Sequence, residues 1–226
     1  MLQPIFIFLF SFLVIRLSVP FMSPALAVVA TSDPAFVLTV PPQQLVTSEA
    51  DFAPFGRSVA AVVAAELDRK PPTDSPRFKL LLGLRVHLAL HFGNHAAALD
   101  AAAQIRALQT DPAERAHAGL TTEAIVAAKH DPILFEKEFS ARLATLPRTP
   151  EIRAVLTRAR EKIAASTETA LIEDVRQNIA PRLARGEPCT LEIADQLVRV
   201  RHRLAGILPL RAALLRAYDH WLDAAR

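Results

Sequence analysis

Cysteine occurs once in these 226 residues, at Cys189, so no disulfide within the chain can staple the fold. Set between Pro188 and Thr190, it reads as a small buried or loop residue. Glycine is also scarce, with six in all. All-β folds and phosphate-cradling loops draw on glycine for positive φ, so its scarcity argues against both. Charge of one sign is nearly absent too. The formal net charge is +3, and loss of an N-terminal leader containing Arg16 would lower it by one. That excess is too small to imply nucleic acid or an anionic membrane as partner. The zinc-peptidase helix motif and the Walker phosphate loop do not occur. What remains is alanine, leucine and arginine in quantity, all strong helix formers. Hydrophobic residues make up 51% and charged ones 22%, enough to build a core.

The first thirty residues stand apart. Leu2 to Ile15 is nearly all apolar, and Leu17 to Ala30 is apolar again. Ala25, Leu26 and Ala27 match the small-x-small pattern of a signal-peptidase site, with a second site after Ala30. Residues 1–27 therefore read as a secretory signal, and the chain as exported to the periplasm or the extracellular space. The alternative is an inner-membrane anchor over residues 2–30, which would place Arg16 in the bilayer at a cost of roughly 2.5–3.5 kcal/mol. Residues 28–52 read as an extended, proline-bearing lead-in, tethered at most by Phe36 and Val37.

From residue 53 to 226 the periodicity is helical and no stretch alternates with period two. Ala53–Lys70 is a first helix, stopped by Pro71 and Pro72. A capping residue followed by proline then recurs at Ser75-Pro76, Asp111-Pro112, Asp131-Pro132 and Thr149-Pro150, each opening a helix. Glu114 is placed to reach back to the Asp111 cap. Gly93 fits the left-handed residue that ends one helix, and Asn94 starts the next. One helix runs from about Pro112 to Lys129. Another, from about Glu168 to Arg185, bends at Pro181. Thr190 caps a helix with Ile193, Leu197, Val200 and Leu204 inward and Glu192, Asp195, Arg199 and His202 opposite. Pro209 begins the last, with Leu210, Leu214, Ala217 and Trp221 inward. The fold class is all-α with about nine helices. A tetratricopeptide-like hairpin array over 75–146 continues into a C-terminal bundle over 150–226. The array rests on the tight turn Phe92–His95 and on the 37 residues from Gly93 to His130, near the roughly 34 of that repeat.

Candidate chemistry is sparse. His87, His91 and His95 are spaced four apart, and the pair His87 and His91 is the only candidate for a metal. No carboxylate or cysteine stands at ligand spacing beside them, so no metal site is assigned. With Lys79 and Gly83 they form a polar stripe on an apolar helix, read as solvated or groove-facing. Gly56 to Ala60, with Ser58, lacks the second glycine and the strand of a nucleophile elbow. Arg199, Arg201, His202 and Arg203 form a basic cluster read as a solvated face. Glu136, Glu138, Glu173 and Asp174 are scattered, with nothing to pair them for acid–base work. No catalytic residue and no cofactor are assigned.

Two stretches carry a resemblance. Gln104-Ile105-Arg106-Ala107-Leu108 leads to Gly119-Leu120-Thr121-Thr122-Glu123-Ala124-Ile125. Later come Ala194-Asp195-Gln196-Leu197, Leu208-Pro209-Leu210 and Tyr218. In that order they resemble the helical accessory region between signal peptide and catalytic domain in exported bacterial subtilisin-like serine peptidases. The similarity spans about residues 75–226. It implies a non-catalytic, peptidase-associated folding or regulatory segment, either the severed N-terminus of such an enzyme or a stand-alone relative. The aspartate, histidine and serine motifs of that catalytic domain are absent here. The other reading is a free-standing tetratricopeptide-like scaffold that binds peptide or protein.

Overall fold

A computed structural model of the chain describes residues 34–129 and 131–224. The segment read as a signal or anchor lies outside these residues. Helices dominate, and the sole β contact among the described residues is an isolated antiparallel bridge between Phe36 and Cys189. The all-α expectation holds, as a helical array with a C-terminal bundle.

The local devices legible in the sequence act as read. Helix α3 (Pro76–His91) is capped by the Ser75 hydroxyl, which accepts from Phe78 N–H at 3.1 Å. Gly93 follows at φ 72°, and Asn94 caps α4 (His95–Ala107) through Ala97 N–H. Asp111 and Asp131 each accept two backbone N–H groups, opening α5 (Pro112–His117) and α7 (Pro132–Ala144). Thr149 caps α8 (Pro150–Ala165) at 3.3 Å. A side-chain acceptor there satisfies N–H groups the helix itself cannot.

Several expectations are corrected. The lead-in over 28–52 is not extended to its end. Pro42–Thr47 forms a short helix, α1, and α2 starts at Glu49 and runs to Asp68, with Ser48 as its cap. Pro41 and Pro42, which suggested extended chain, occupy helix-start positions instead, where a missing N–H costs nothing. Leu45 and Val46 of α1 are fully buried. Phe36 is buried and its N–H bonds to Cys189 O at 2.9 Å, whereas Val37 is 86% exposed.

The helix expected over 112–129 is two. It breaks at Ala118–Gly119, with Gly119 at φ 83°, and resumes as α6 (Leu120–Ala128). Arg106 fills the corner, bonding Ala118 O at 2.7 Å and the Glu123 carboxylate. Glu114 does not close a capping box with Asp111; its carboxylate meets Arg158 at 2.7 Å. The helix over 168–185 is α9 (Glu168–Asp174), a π-turn (Val175–Ile179) and α10 (Ala180–Ala184). The π-turn ends two residues before Pro181, where the ladder loses a donor. Thr190 sits at the cap position of α11 (Leu191–His202), but its side chain makes no cap bond. A second π-turn (Arg203–Ile207) and a 3₁₀ turn (Leu208–Leu210, containing Pro209) then lead into α12 (Arg211–Ala224).

Packing centres on α3, which buries two faces. Leu82, Val86, Ala89 and Leu90 join a core with Ala98, Ala124, Phe135, Phe139, Leu156 and Trp221, built from α4 to α8 and α12. Leu81, Leu84 and Leu88 join a second core with Phe36, Phe52, Val59, Val175, Ile179 and Leu197, built from α1, α2, α9 and α11. A helix apolar around most of its circumference belongs inside, not on a surface. The C-terminal helices divide between the cores. The α11 helix packs on α1, α2 and α3, while α12 packs on α7 and α8. The second π-turn carries the chain from one to the other.

Candidate functional site

The last two turns of α3 and the end of α11 bring three histidines and an arginine together. His87 and His202 stack with ring centroids 4.6 Å apart and planes 24° from parallel. His91, one turn on, donates Nε2–H to the Glu49 carboxylate at 3.1 Å. Its ring meets Phe52 and Phe92 edge-on, each at 4.8 Å. Arg201 reaches across to α1, where its Nη1 bonds Val46 O and Thr47 O at 3.1 Å and its Nη2 bonds Glu49. Those carbonyls end α1 without intrahelical partners, and one guanidinium nitrogen satisfies both while the charge opposes the helix dipole. The same group lies 5.6 Å from the Phe52 ring centre.

Burial governs the electrostatics. His87 is held well below the ordinary histidine pKa by desolvation, then by His202, Arg199 and Arg203. His202 is pushed down to about 4, again by desolvation first and then by Arg203 and His91. Burial lowers His91 as well, and Glu49 opposes that shift. The His87 Nδ1 is shut off from solvent and has no hydrogen-bond partner. Beside the stack a cavity of about 240 Å³ is lined by Glu49, Leu90, His91, Ile125, His202 and the Ala205–Gly206 backbone.

These positions revise the sequence reading. The stripe Lys79, Gly83, His87, His91 is not one solvated face. Lys79 is exposed, and a side chain at Gly83 would meet nothing within 4 Å, but His87 is half-buried with the His202 ring stacked on it. His91 does face a cavity. His95 lies past the Gly93 turn on α4, off the α3 face. No group of three or more potential metal ligands exists among the described residues. The basic cluster is not a solvated face either. Arg201 is 8% exposed and His202 is in the stack, while Arg199 pairs with Asp195 at 2.8 Å. Asp195, assigned outward, is 5% exposed, and burial raises its pKa despite Arg199.

The remaining candidates are structural. Gly56 sits within α2 because a Cβ would approach the Phe52 ring to 3.0 Å and the Phe92 ring to 3.1 Å; Ser58 is exposed on the same helix. Cys189 is buried and its thiol is pushed up to about 11 by desolvation, which suppresses the reactive thiolate. Glu136 pairs with Arg216, Glu138 with Arg142, Glu173 with Arg176, and Asp174 accepts from Asn178. Sequence reasoning missed Glu49, placed in the lead-in, and His202, placed in solvent. The signal for Glu49 was local: Ser48 followed by acidic Glu49 and Asp51 is a helix start.

A second concavity lies over α3 between α2 and α4. It encloses about 410 Å³, with Ala60, Val63, Ala64, Leu67, Phe92 and Ala97 among its walls and Asp68, Arg85 and Asn94 supplying polar groups. Small side chains on α2 and α4 leave the trough open, and the exposed Phe92 ring forms one end. No family model, curated protein or solved structure matches this chain. None of the helices among the described residues is long and apolar enough to cross a membrane.

Proposed function

We propose that the chain is an exported, non-catalytic helical domain that binds a segment of a partner protein, the partner being a subtilisin-like peptidase whose folding or maturation it assists. The observation that carries a binding role is the apolar trough over α3. Its volume of about 410 Å³ falls within the ordinary range of roughly 300–1,000 Å³ for ligand sites. Its alanine-rich walls and single exposed aromatic suit the apolar face of an incoming helix or extended segment, with Asp68, Arg85 and Asn94 available to its polar atoms. The peptidase as partner rests on the short sequence stretches that resemble the accessory region, among them Gln104 to Leu108 and Gly119 to Ile125. Paired helices with a tight Gly93 turn support the tetratricopeptide-like description of this part of the chain.

A photoreactive side chain at Ala64, in the trough wall, tests this directly. Crosslinking in an envelope extract is expected to trap a fragment of a subtilisin-like peptidase, and Phe92→Asp is expected to abolish the adduct. Adducts to other proteins through the same trough would instead establish a free-standing scaffold. A trough that traps nothing would end both readings.

A further inference from the structure

The stacked His87 and His202 rings occupy the point where the chain leaves one core for the other. His87 is on α3, the helix both cores share. His202 ends α11, whose Leu197 and Val200 belong to the second core; Ile207, the last residue of the π-turn, belongs to the first. The ring of His202 rests on Gly206, where a Cβ would meet Nδ1 at 3.2 Å and Cε1 at 3.3 Å. A π-turn of five residues is a rare and poorly bonded piece of helix, often kept for a purpose. Here it lets the backbone lie against the imidazole.

We propose that the His87–His202 stack is an acid-sensitive joint, in which protonation of either ring separates α11 and its π-turn from α3 and opens the cavity beside Glu49. This goes beyond the binding role proposed above and does not depend on it.

The geometry makes a proton costly at this place. Two parallel imidazoles in contact tolerate one charge badly and two worse. The His87 Nδ1 has no acceptor to receive a new N–H. The charged or titratable groups facing the pair are mostly cationic: Arg199 from α11, Arg203 from the π-turn, and His91 from α3 itself. The carboxylates nearby are already engaged: Glu49 of α2 by His91 and Arg201, and Asp195 of α11 by Arg199. From α6 the cavity receives only the apolar Ile125, and α4 contributes nothing to its lining. A new cation therefore finds no free counter-charge in the packed state, while water supplies solvation once the joint opens. The cavity of about 240 Å³ already present on one side of His202 is the route by which water enters.

The sign follows from the direction of the shifts. Both groups are depressed in the folded chain relative to 6.5, His202 to about 4. Their neutral forms contribute stability fully above about pH 6.5, and that contribution is lost as the pH falls toward and through about 4. The transition thus lies in the mildly acidic range, which an exported protein meets when its surroundings acidify.

The test uses the full chain, with protons as the only ligand. Histidine Cε1–H resonances are followed from about pH 8 to about pH 4, with amide hydrogen exchange read in parallel across 203–207. The expected result is a His202 midpoint below about 5 and an acceleration of exchange of at least about tenfold in the π-turn, after correction for intrinsic pH dependence, while α7 stays protected. In H87F/H202F, which keeps a stacked aromatic pair without the protons, the acceleration is expected to vanish. A His202 midpoint near 6.5 would overturn the proposal, as would an unchanged acid response in the double variant or an opening that begins at the His117–Tyr218 contact. If the double variant does not fold, the wild-type midpoint and the location of the exchange decide the matter alone.

Discussion

On the side of α3 that faces α4, α6 and α12, the core interior is hydrocarbon and aromatic ring, and charge stays at its rim. Phe135 stacks on Phe139, which meets Tyr218 edge-on at 5.3 Å. Outside them lie Arg160 with Asp219, Arg216 with Glu136, and Arg158 with Glu114. Arg148 covers the Trp221 ring at 4.5 Å and bonds Trp221 O. On the side that faces α1, α2 and α11, polar groups go inside: Arg201, Asp195 and Cys189 are all buried, and the histidine stack borders them. The contrast is chemical as well as geometric. Ion pairs at a wet rim contribute little, since water competes for both partners. A buried guanidinium bonded to two helix-end carbonyls contributes little net energy when intact but costs much when broken. The first core should therefore fail through lost packing, and the second through lost polar satisfaction as well.

That distinction orders the expected effects. Phe139→Ala and Phe52→Ala, one in each core, should each cost about 3–5 kcal/mol by denaturant unfolding. Phe52→Ala should fall at the upper end, because it also strips the ring beneath Arg201 and His91. Equal costs would show that the polar layer adds nothing to the second core. Arg201→Ala comes next, at about 2–4 kcal/mol, since Val46 O and Thr47 O would be left without their donor. Arg201→Met, which keeps the apolar stem over Phe52, should recover part of that loss; no difference between the two would show that hydrogen bonding alone decides. Gly119→Ala, at φ 83° and with Arg106 Nη2 at 3.1 Å from the new Cβ, should cost about 1–2 kcal/mol. At the small end, Arg216→Ala should leave the denaturation midpoint unmoved at moderate salt despite its three bonds to Glu136. A clear loss there would mean that the rim of the first core is not weak after all.

Acid separates the cores as well. His117 at the edge of the first core is lowered by burial but hydrogen-bonds Tyr218 at 3.0 Å, whereas His87 and His202 meet each other and arginines. Loss of protection on acidification should begin around 203–207, and α7 should hold until lower pH.

Legibility followed the range of the interactions. Ser75, Asp111, Asp131 and Thr149 declare their helices because a cap bonds two or three residues ahead, so sequence spacing alone states the geometry. The stripe Leu210, Leu214, Ala217 and Trp221 was readable for the same reason, and all four are buried. Harder were the π-turns, since 203–207 has the same apolar spacing as the helix before it, and the break at Ala118–Gly119, where Arg106, twelve residues before Ala118, bonds its carbonyl. For the candidate site, His87 and His91 were visible as a pair at helical spacing, but their surroundings were not. Nothing in the order of residues says that His202 lands on His87, or that Glu49 lands on His91.

The sequence by itself determined that this chain is helical, where most of its helices begin, and which apolar stripes they bury, because those properties depend on neighbours within a turn or two. Only the tertiary structure decided that α3 carries two cores, that α11 and α12 part company at a π-turn, that Arg201 and Asp195 lie inside, and that His202 stacks half-buried on His87. A polar residue on a helix is outward only if nothing packs over it. Whether something does depends on contacts between residues more than a hundred positions apart, where chain order carries no distance information.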